Sequence, residues 1–278
     1  MDDALASGDV DAVRRLLAAQ AAQPTTAAPA RPGPASEQLD PLTARADALA
    51  TSLLSRGLAV LERAESASAA VDSQPPQRAQ TITLPEFGLQ IVDSPVMGQT
   101  VWPAALALAR WLKSRGACQG AHTLELGAGS GAPGLVALSL GAASLTLTDA
   151  DADLLPLMQS NAELNTRGAA CSVRELDWRQ PEHVSAARAA RPEGFALLLA
   201  ADVTFGVGDF EPLARAAAAL LARTPAARLL LARSAWFEDL QPTLLAAVET
   251  AGLRLVGESV DGEAGAAVLE IEWAEARE

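Results

Sequence analysis

From about residue 80 onward, short apolar runs alternate with stretches whose leucines and valines recur at helical spacing. Runs with strand character fall at 122–127, 143–148, 170–176, 195–202, 227–233, 253–257 and 267–273. Helical spacing covers 133–140, 152–165, 209–222 and 238–251, and Pro103 opens a further helix reaching about Arg115, proline being well suited to a first helical position. Just upstream, 81–84 and 89–92 flank a Pro- and Gly-containing turn at 85–88 and predict a hairpin. Strands alternating with helices need crossover connections, hence a mostly parallel sheet covered on both faces. The last two runs are joined only by the short segment 257–265, too brief for a crossover, so the final strand should run antiparallel. The expected fold class is α/β, a Rossmann-like seven-stranded, mostly parallel sheet with an antiparallel last strand and helices on both faces.

The first 80 residues read differently. Leu5, Val10, Val13, Leu16 and Leu17 recur at helical spacing, as do Leu39, Leu42, Leu49, Leu53, Leu54, Leu58 and Leu61, with an Ala/Pro-rich stretch at 20–38 between them. We divide the chain into a helical N-terminal extension with its Pro/Ala-rich linker over 1–66, a linker over 67–80 around Pro75-Pro76, and an α/β domain over 81–278.

Composition narrows the function. Among the 278 residues, 34 are acidic and 21 basic, for a formal net charge of −13. That field repels phosphate backbones and attracts basic partners, so a nucleic-acid partner is not expected and a basic protein is. No uninterrupted apolar run is long enough to span a bilayer, and the start Met1-Asp2-Asp3 does not read as a signal peptide. The expected location is cytoplasmic, with a nucleus also admitted. Cys118 and Cys171 are too few for a disulfide framework, and neither they nor His122 and His183 form a metal-ligand motif. Lys113 is the single lysine and tyrosine is absent.

The candidate chemistry gathers at predicted strand ends. Gly127-Ala128-Gly129-Ser130-Gly131 follows the first strand of the alternating region and opens a helix, where glycines allow a sharp turn and free N–H groups face a ligand. Asp149 closes the next strand, twenty residues after Gly129, the timing of a carboxylate that accepts from ribose hydroxyls. Glu125 points a negative charge at the loop, which suits a cationic amino-acid moiety and disfavours a pyrophosphate. After the third strand, Asp177 and Trp178 offer a carboxylate for an exocyclic amine and an indole face for a purine. Ala201 and Asp202 close the fourth strand, followed by Phe205, and Trp102 precedes the helix that leads into the first strand. Each has a plainer reading: Trp102 and Trp178 as core, Asp177 as a turn cap, Asp149 as a loop aspartate, Asp202 as a structural carboxylate.

Taken together, GQTVWPAALALARWL, LELGAGSGAPG, LTLTDAD followed by NAELN, LDW and AADVTF resemble the seven-strand S-adenosylmethionine-dependent methyltransferases, and among them the protein-lysine group called methyltransferase family 16. The resemblance runs from about residue 81 to 273. It implies S-adenosyl-L-methionine as cofactor, held by Trp102, Gly127, Ala128, Gly129, Asp149, Trp178 and Ala201, to which the reading of the residues themselves adds Glu125, Gly131 and Asp177. It places Asp202 and Phe205 at the substrate entrance, with a protein lysine ε-amine as acceptor. Family members often carry tyrosine where Phe205 stands, so a hydroxyl is missing there. Histidine, arginine or small-molecule acceptors are the nearer alternatives. An NAD(P)-dependent oxidoreductase and a non-catalytic cofactor-binding protein are the more distant ones, the former weakened by the absence of a Tyr/Lys pair. The N-terminal 80 residues are the expected substrate-recognition appendage, since the α/β domain carries no other large insertion.

Overall fold

A computed structural model describes residues 80–93, 100–166, 170–204, 207–234 and 240–274. The expected N-terminal helices and nearly all of the 67–80 linker lie outside the described residues, as does Phe205. Gln80 belongs to the first strand.

Strand β1 (Gln80–Leu84) and β2 (Leu89–Asp93) form an antiparallel hairpin. Helix α1 (Pro103–Arg115) follows, and then the alternating unit: β3 (His122–Leu126), α2 (Ala132–Ser139), β4 (Ser144–Asp149), α3 (Leu155–Thr166), β5 (Cys171–Glu175), α4 (Pro181–Ala190), β6 (Leu197–Ala201), α5 (Phe210–Leu220), β7 (Arg228–Ser234), α6 (Gln241–Thr250), β8 (Leu253–Asp261) and β9 (Ala266–Trp273). The large sheet has the order β5-β4-β3-β6-β7-β9-β8. The first five strands in that order pair in parallel. β9 inserts antiparallel between β7 and β8, as the short final connection requires.

Alternation along each strand divides the core into two layers. In β6, Leu197 and Leu199 join the cluster under α1, α2 and α3, while Leu198 and Ala200 join the one under α4, α5 and α6. In β7, Leu230 and Ala232 take the first side and Leu229 and Leu231 the second. With both faces covered, the central strands are apolar runs, as burial on two sides demands.

Three elements differ from the sequence expectation. β8 extends to Asp261 because its polar residues still pair with β9, with a register shift between Leu255 and Gly257. Helix α4 is additional: only Val184 and Ala187 are buried on it, too few apolar positions to leave a readable period. The stretch 152–165 divides into a 3₁₀ turn (Ala152–Leu154) and α3. Asp151 caps that turn by accepting from Asp153 N–H at 2.9 Å.

The hairpin is held by two asparagines one turn apart on α3. Asn161, fully buried, accepts from Val92 N–H at 2.8 Å and donates to Ser130 O at 2.9 Å. Asn165 accepts from Gln90 N–H at 2.9 Å and donates to Gln90 O at 2.7 Å. Asp93 in turn accepts from Val101 N–H at 2.9 Å, placing the segment that carries Trp102. On the other side of α1, Arg110 ties both hairpins together through Glu86, Asp261 and Glu263 at 3.2–3.4 Å. Asn161→Leu preserves volume but strands the half-buried Val92 N–H and the buried Ser130 C=O. The expected loss is roughly 1–3 kcal/mol for each group, read as a lowered urea midpoint with unchanged slope.

Candidate active site

The order of strands reverses at β3, whose neighbours are β4 and β6. Open α/β sheets leave a crevice at the carboxyl ends of strands at such a point. A cavity of about 390 Å³ occupies it, within the range of small-molecule sites. Its lining includes Trp102, Glu125, Gly127, Ala128, Gly129, Asp149, Trp178, Ala201 and Asp202.

The floor is the loop between β3 and α2. Gly127 has φ +60, and a Cβ there would stand 2.7 Å from Val203 Cγ1 and 3.5 Å from the Trp178 ring. A side chain at this position would be strained in its backbone and would drive into the far wall. Ala128 N–H donates to Thr148 O at 2.8 Å, and Thr148 Oγ1 donates to Glu125 O at 2.6 Å, so the loop is registered on β4. Asp149, the last residue of β4, accepts from Gly129 N–H at 3.0 Å and from Asp151 N–H at 3.1 Å, one donor to each oxygen. Each oxygen keeps further acceptor capacity.

Glu125 departs from its expected role. It lines the cavity, but its carboxyl is only 2% exposed and accepts from Gly134 N–H at 2.8 Å in the first turn of α2. Burial pushes it up to about 8, with Asp149 adding a smaller push and the Gly134 bond opposing. At neutral pH it therefore holds its proton, and the negative charge expected under the loop is absent.

Asp177 and Gly131 are not among the residues lining the cavity. The Asp177 carboxylate accepts from Arg179 N–H and Nε at 2.9 Å each and from Nη2 at 3.2 Å, which lowers its pKa from the ordinary carboxylate value. It is a turn fastener, and Arg179 lines the cavity instead. Gly131 caps α2, where a Cβ would meet Leu147 Cδ1 at 2.8 Å.

Asp202 has φ +50 and is the one non-glycine residue with positive φ among the described residues. Its oxygens accept from Ser234 N–H at 2.7 Å and Ser234 Oγ at 2.5 Å, joining the ends of β6 and β7. Burial raises its pKa, while the two Ser234 bonds and the charge of Arg233 pull the other way.

Other lining residues, among them Thr100, Asp151, Val203 and Asp209, were not singled out in the sequence. Asp151 sits inside the LTDAD string two places after Asp149, so its position was available. Asp209, in the 3₁₀ turn before α5, left no signal because its place depends on how that turn folds back.

The donor set fits a nucleoside. Asp149 has spare acceptors, Trp178 presents an aromatic wall, and Gly127 keeps a Cβ out of the space between the loop and that wall. The thiols of Cys118 and Cys171 are pushed by burial to about 11, which leaves them poor nucleophiles at neutral pH. Among the described residues no three His, Cys, Asp or Glu side chains converge on a metal site, and no helix is long and apolar enough to cross a membrane.

The buried Glu125 carboxyl makes stability pH-dependent. The folded state keeps a proton that the unfolded chain loses above 4.5, so stability falls as pH rises from 4.5 to about 8. The full span corresponds to about 4–5 kcal/mol at most. Glu125→Gln keeps an acceptor for Gly134 N–H and removes the titration. Urea midpoints across that window should fall less steeply for the variant than for the wild type.

Comparison with known proteins agrees with this geometry. The family described as "Lysine methyltransferase" matches residues 86–238, from the β1–β2 turn to beyond β7. Mouse methyltransferase-like protein 22 is 42% identical over 88 residues, 30% of this chain and 22% of that protein. Mouse protein N-lysine methyltransferase METTL21A is 36% identical over 118 residues, 41% of this chain and 50% of that protein. Protein N-terminal and lysine N-methyltransferase EFM7 of Cryptococcus neoformans is 28% identical over 139 residues, 48% and 46% of the two chains. The chain thus spans half or less of the length of these relatives. Among solved structures, a putative SAM-dependent methyltransferase from Streptococcus mutans superposes with TM-score 0.54 at 14% identity, over 71% of this chain and 56% of that one, a likeness of fold. With the family match covering more than half of the chain, and the loop, the strand-end aspartate and the reversal point in place, this chain belongs to the lysine methyltransferase family.

Proposed function

We propose that this chain transfers a methyl group from S-adenosylmethionine to the ε-amine of a lysine on a protein substrate. The observation that carries the reading is Asp149: a carboxylate at the end of β4, bonded to the glycine loop, on the rim of a cavity shared with Trp178. When bound, S-adenosylmethionine supplies an activated sulfonium methyl. The chain then needs only to hold, align and exclude water.

Asp149 accepts the ribose hydroxyls with its remaining lone pairs, and its two loop bonds keep it in position. Trp178 packs against the purine. Glu125, neutral and fastened to Gly134, supports the loop and offers a polar group to the amino-acid end. Trp102, 41% exposed at the start of α1, and Ala201 close the sides. Asp202 is the proposed acceptor toward the incoming amine. A lysine must be neutral to attack, and bringing its pKa from about 10.4 toward 7 is worth roughly 4–5 kcal/mol. Desolvation at the mouth pushes in that direction, and an ionised carboxylate pushes against it. Phe205, from the AADVTF string, is the proposed aromatic flank for the lysine stem.

The net charge of −13 supports a basic substrate segment over nucleic acid. Two unpaired cysteines agree with a reducing cytoplasm. The extension over 1–66 is assigned to substrate recognition.

Titration calorimetry with S-adenosylhomocysteine and, separately, NAD tests the cofactor. We expect binding of the first alone, weakened at least about tenfold in Asp149→Ala, the worth of a charge-assisted hydrogen bond. Binding of NAD alone would overturn the reading. Labelled-methyl transfer to a basic protein fraction tests the acceptor. Lys113→Arg removes the chain's only lysine and with it any self-labelling at that residue type.

A further inference from the structure

The aromatic wall of the cavity is held in place from outside, by a residue the proposed mechanism does not use. Beyond β5, Leu176 N–H still donates to Asp149 O at 2.8 Å, so the chain remains registered on β4. The next amide, of Asp177, turns out of the ladder and donates to His183 Nδ1 at 3.2 Å. On the other side of Trp178, Arg179 N–H and Nε donate to Asp177 Oδ1, and Gln180 N–H donates to Asp177 O at 3.0 Å. Trp178 therefore sits inside a closed turn fastened at Asp177. His183 anchors that turn from the first turn of α4, whose Val184 and Ala187 are buried in the core.

The indole supplies no polar anchor of its own. Trp178 Nε1 is buried and has no hydrogen-bond partner among the described residues. Its placement depends on packing against Gly127 and Val203 and on the backbone to either side. Without a fastener at Asp177 N–H, that backbone gains freedom and a half-buried donor loses its acceptor.

We propose that His183 is a positioning residue for cofactor binding: by accepting the Asp177 N–H on Nδ1, it fixes the turn that sets Trp178 against the cavity. The inference rests on the cofactor reading above. It assigns the neutral ring its proton on Nε2, since Nδ1 must be bare to accept.

The test measures S-adenosylhomocysteine affinity by calorimetry and Trp178 emission, with Trp178→Phe as the blank. His183→Ala should weaken binding roughly threefold to tenfold, shift Trp178 emission to the red, and raise KM for the cofactor with kcat little changed. His183→Asn, whose amide oxygen falls near the place of Nδ1, should restore affinity to within about twofold. His183→Gln, which reaches to the place of Nε2, should not. Glu182→Ala, exposed in the same turn, is the control expected to bind as the wild type does. Equal affinity of wild type and His183→Ala overturns the inference. Should His183→Ala fail to fold, equal affinity of the Asn and Gln variants overturns it. Absence of binding by the wild type itself overturns the proposed function, and this inference with it.

Discussion

The first turn of α2 lies directly on the sheet, and the rest of the site is arranged around that contact. It is permitted because Gly134 has no side chain: a Cβ there would stand 2.5 Å from Glu125 Oε2 and 2.8 Å from both Leu145 Cδ1 and Leu147 Cδ2. The approach lets Gly134 N–H, one of the donors a helix start leaves unpaired, find the Glu125 carboxyl 2.8 Å away. A buried carboxyl that would otherwise be a liability becomes the helix's partner. In exchange it keeps a proton at neutral pH.

From that contact the rim follows. With α2 seated, the preceding loop has to reverse within a few residues, and it does so with its amides aimed at β4: Ala128 to a backbone carbonyl, Gly129 to the Asp149 side chain. The same β4 end receives Leu176 N–H from the next strand. Asp149 is thus the point at which the glycine loop, the β4 end and the Trp178 turn all meet. At the other side of the reversal, Asp202 closes the gap between β6 and β7 by accepting both of its bonds from Ser234. The strand ends carry carboxyl groups because they leave backbone donors with nothing else to accept them.

The hairpin shows how distant sequence serves this arrangement. Asn161 bonds β2 with its oxygen and Ser130 of the loop with its nitrogen, so one buried amide joins the hairpin to the cavity floor. Arg110 fastens the opposite end of the hairpin to β8–β9. Trp102, at the end of the segment held by Asp93, takes its place at the cavity from these outlying contacts.

Periodicity alone determined the seven strands, their parallel core and the antiparallel last strand, because burial on two faces writes long apolar runs and a short connection forbids a crossover. It also placed the glycine loop, Asp149, Trp178 and Ala201 at strand ends, since strand length and helix length set where the chain emerges. What it did not determine was which partner each polar atom would take. Glu125 reads as a charge until burial removes its water, and Asp177 reads as a ligand until Arg179 folds back on it. Asn161 lies in the NAELN string without that string naming its partners, and His183 and Asp209 carry no local pattern. Their roles depend on groups 31 to 69 residues away, as for Asn161, or on a helix too weakly patterned to foresee, as for His183. Hydrophobic periodicity is a local property of the chain, whereas hydrogen-bond partners and desolvation exist only once the tertiary fold brings separate segments together.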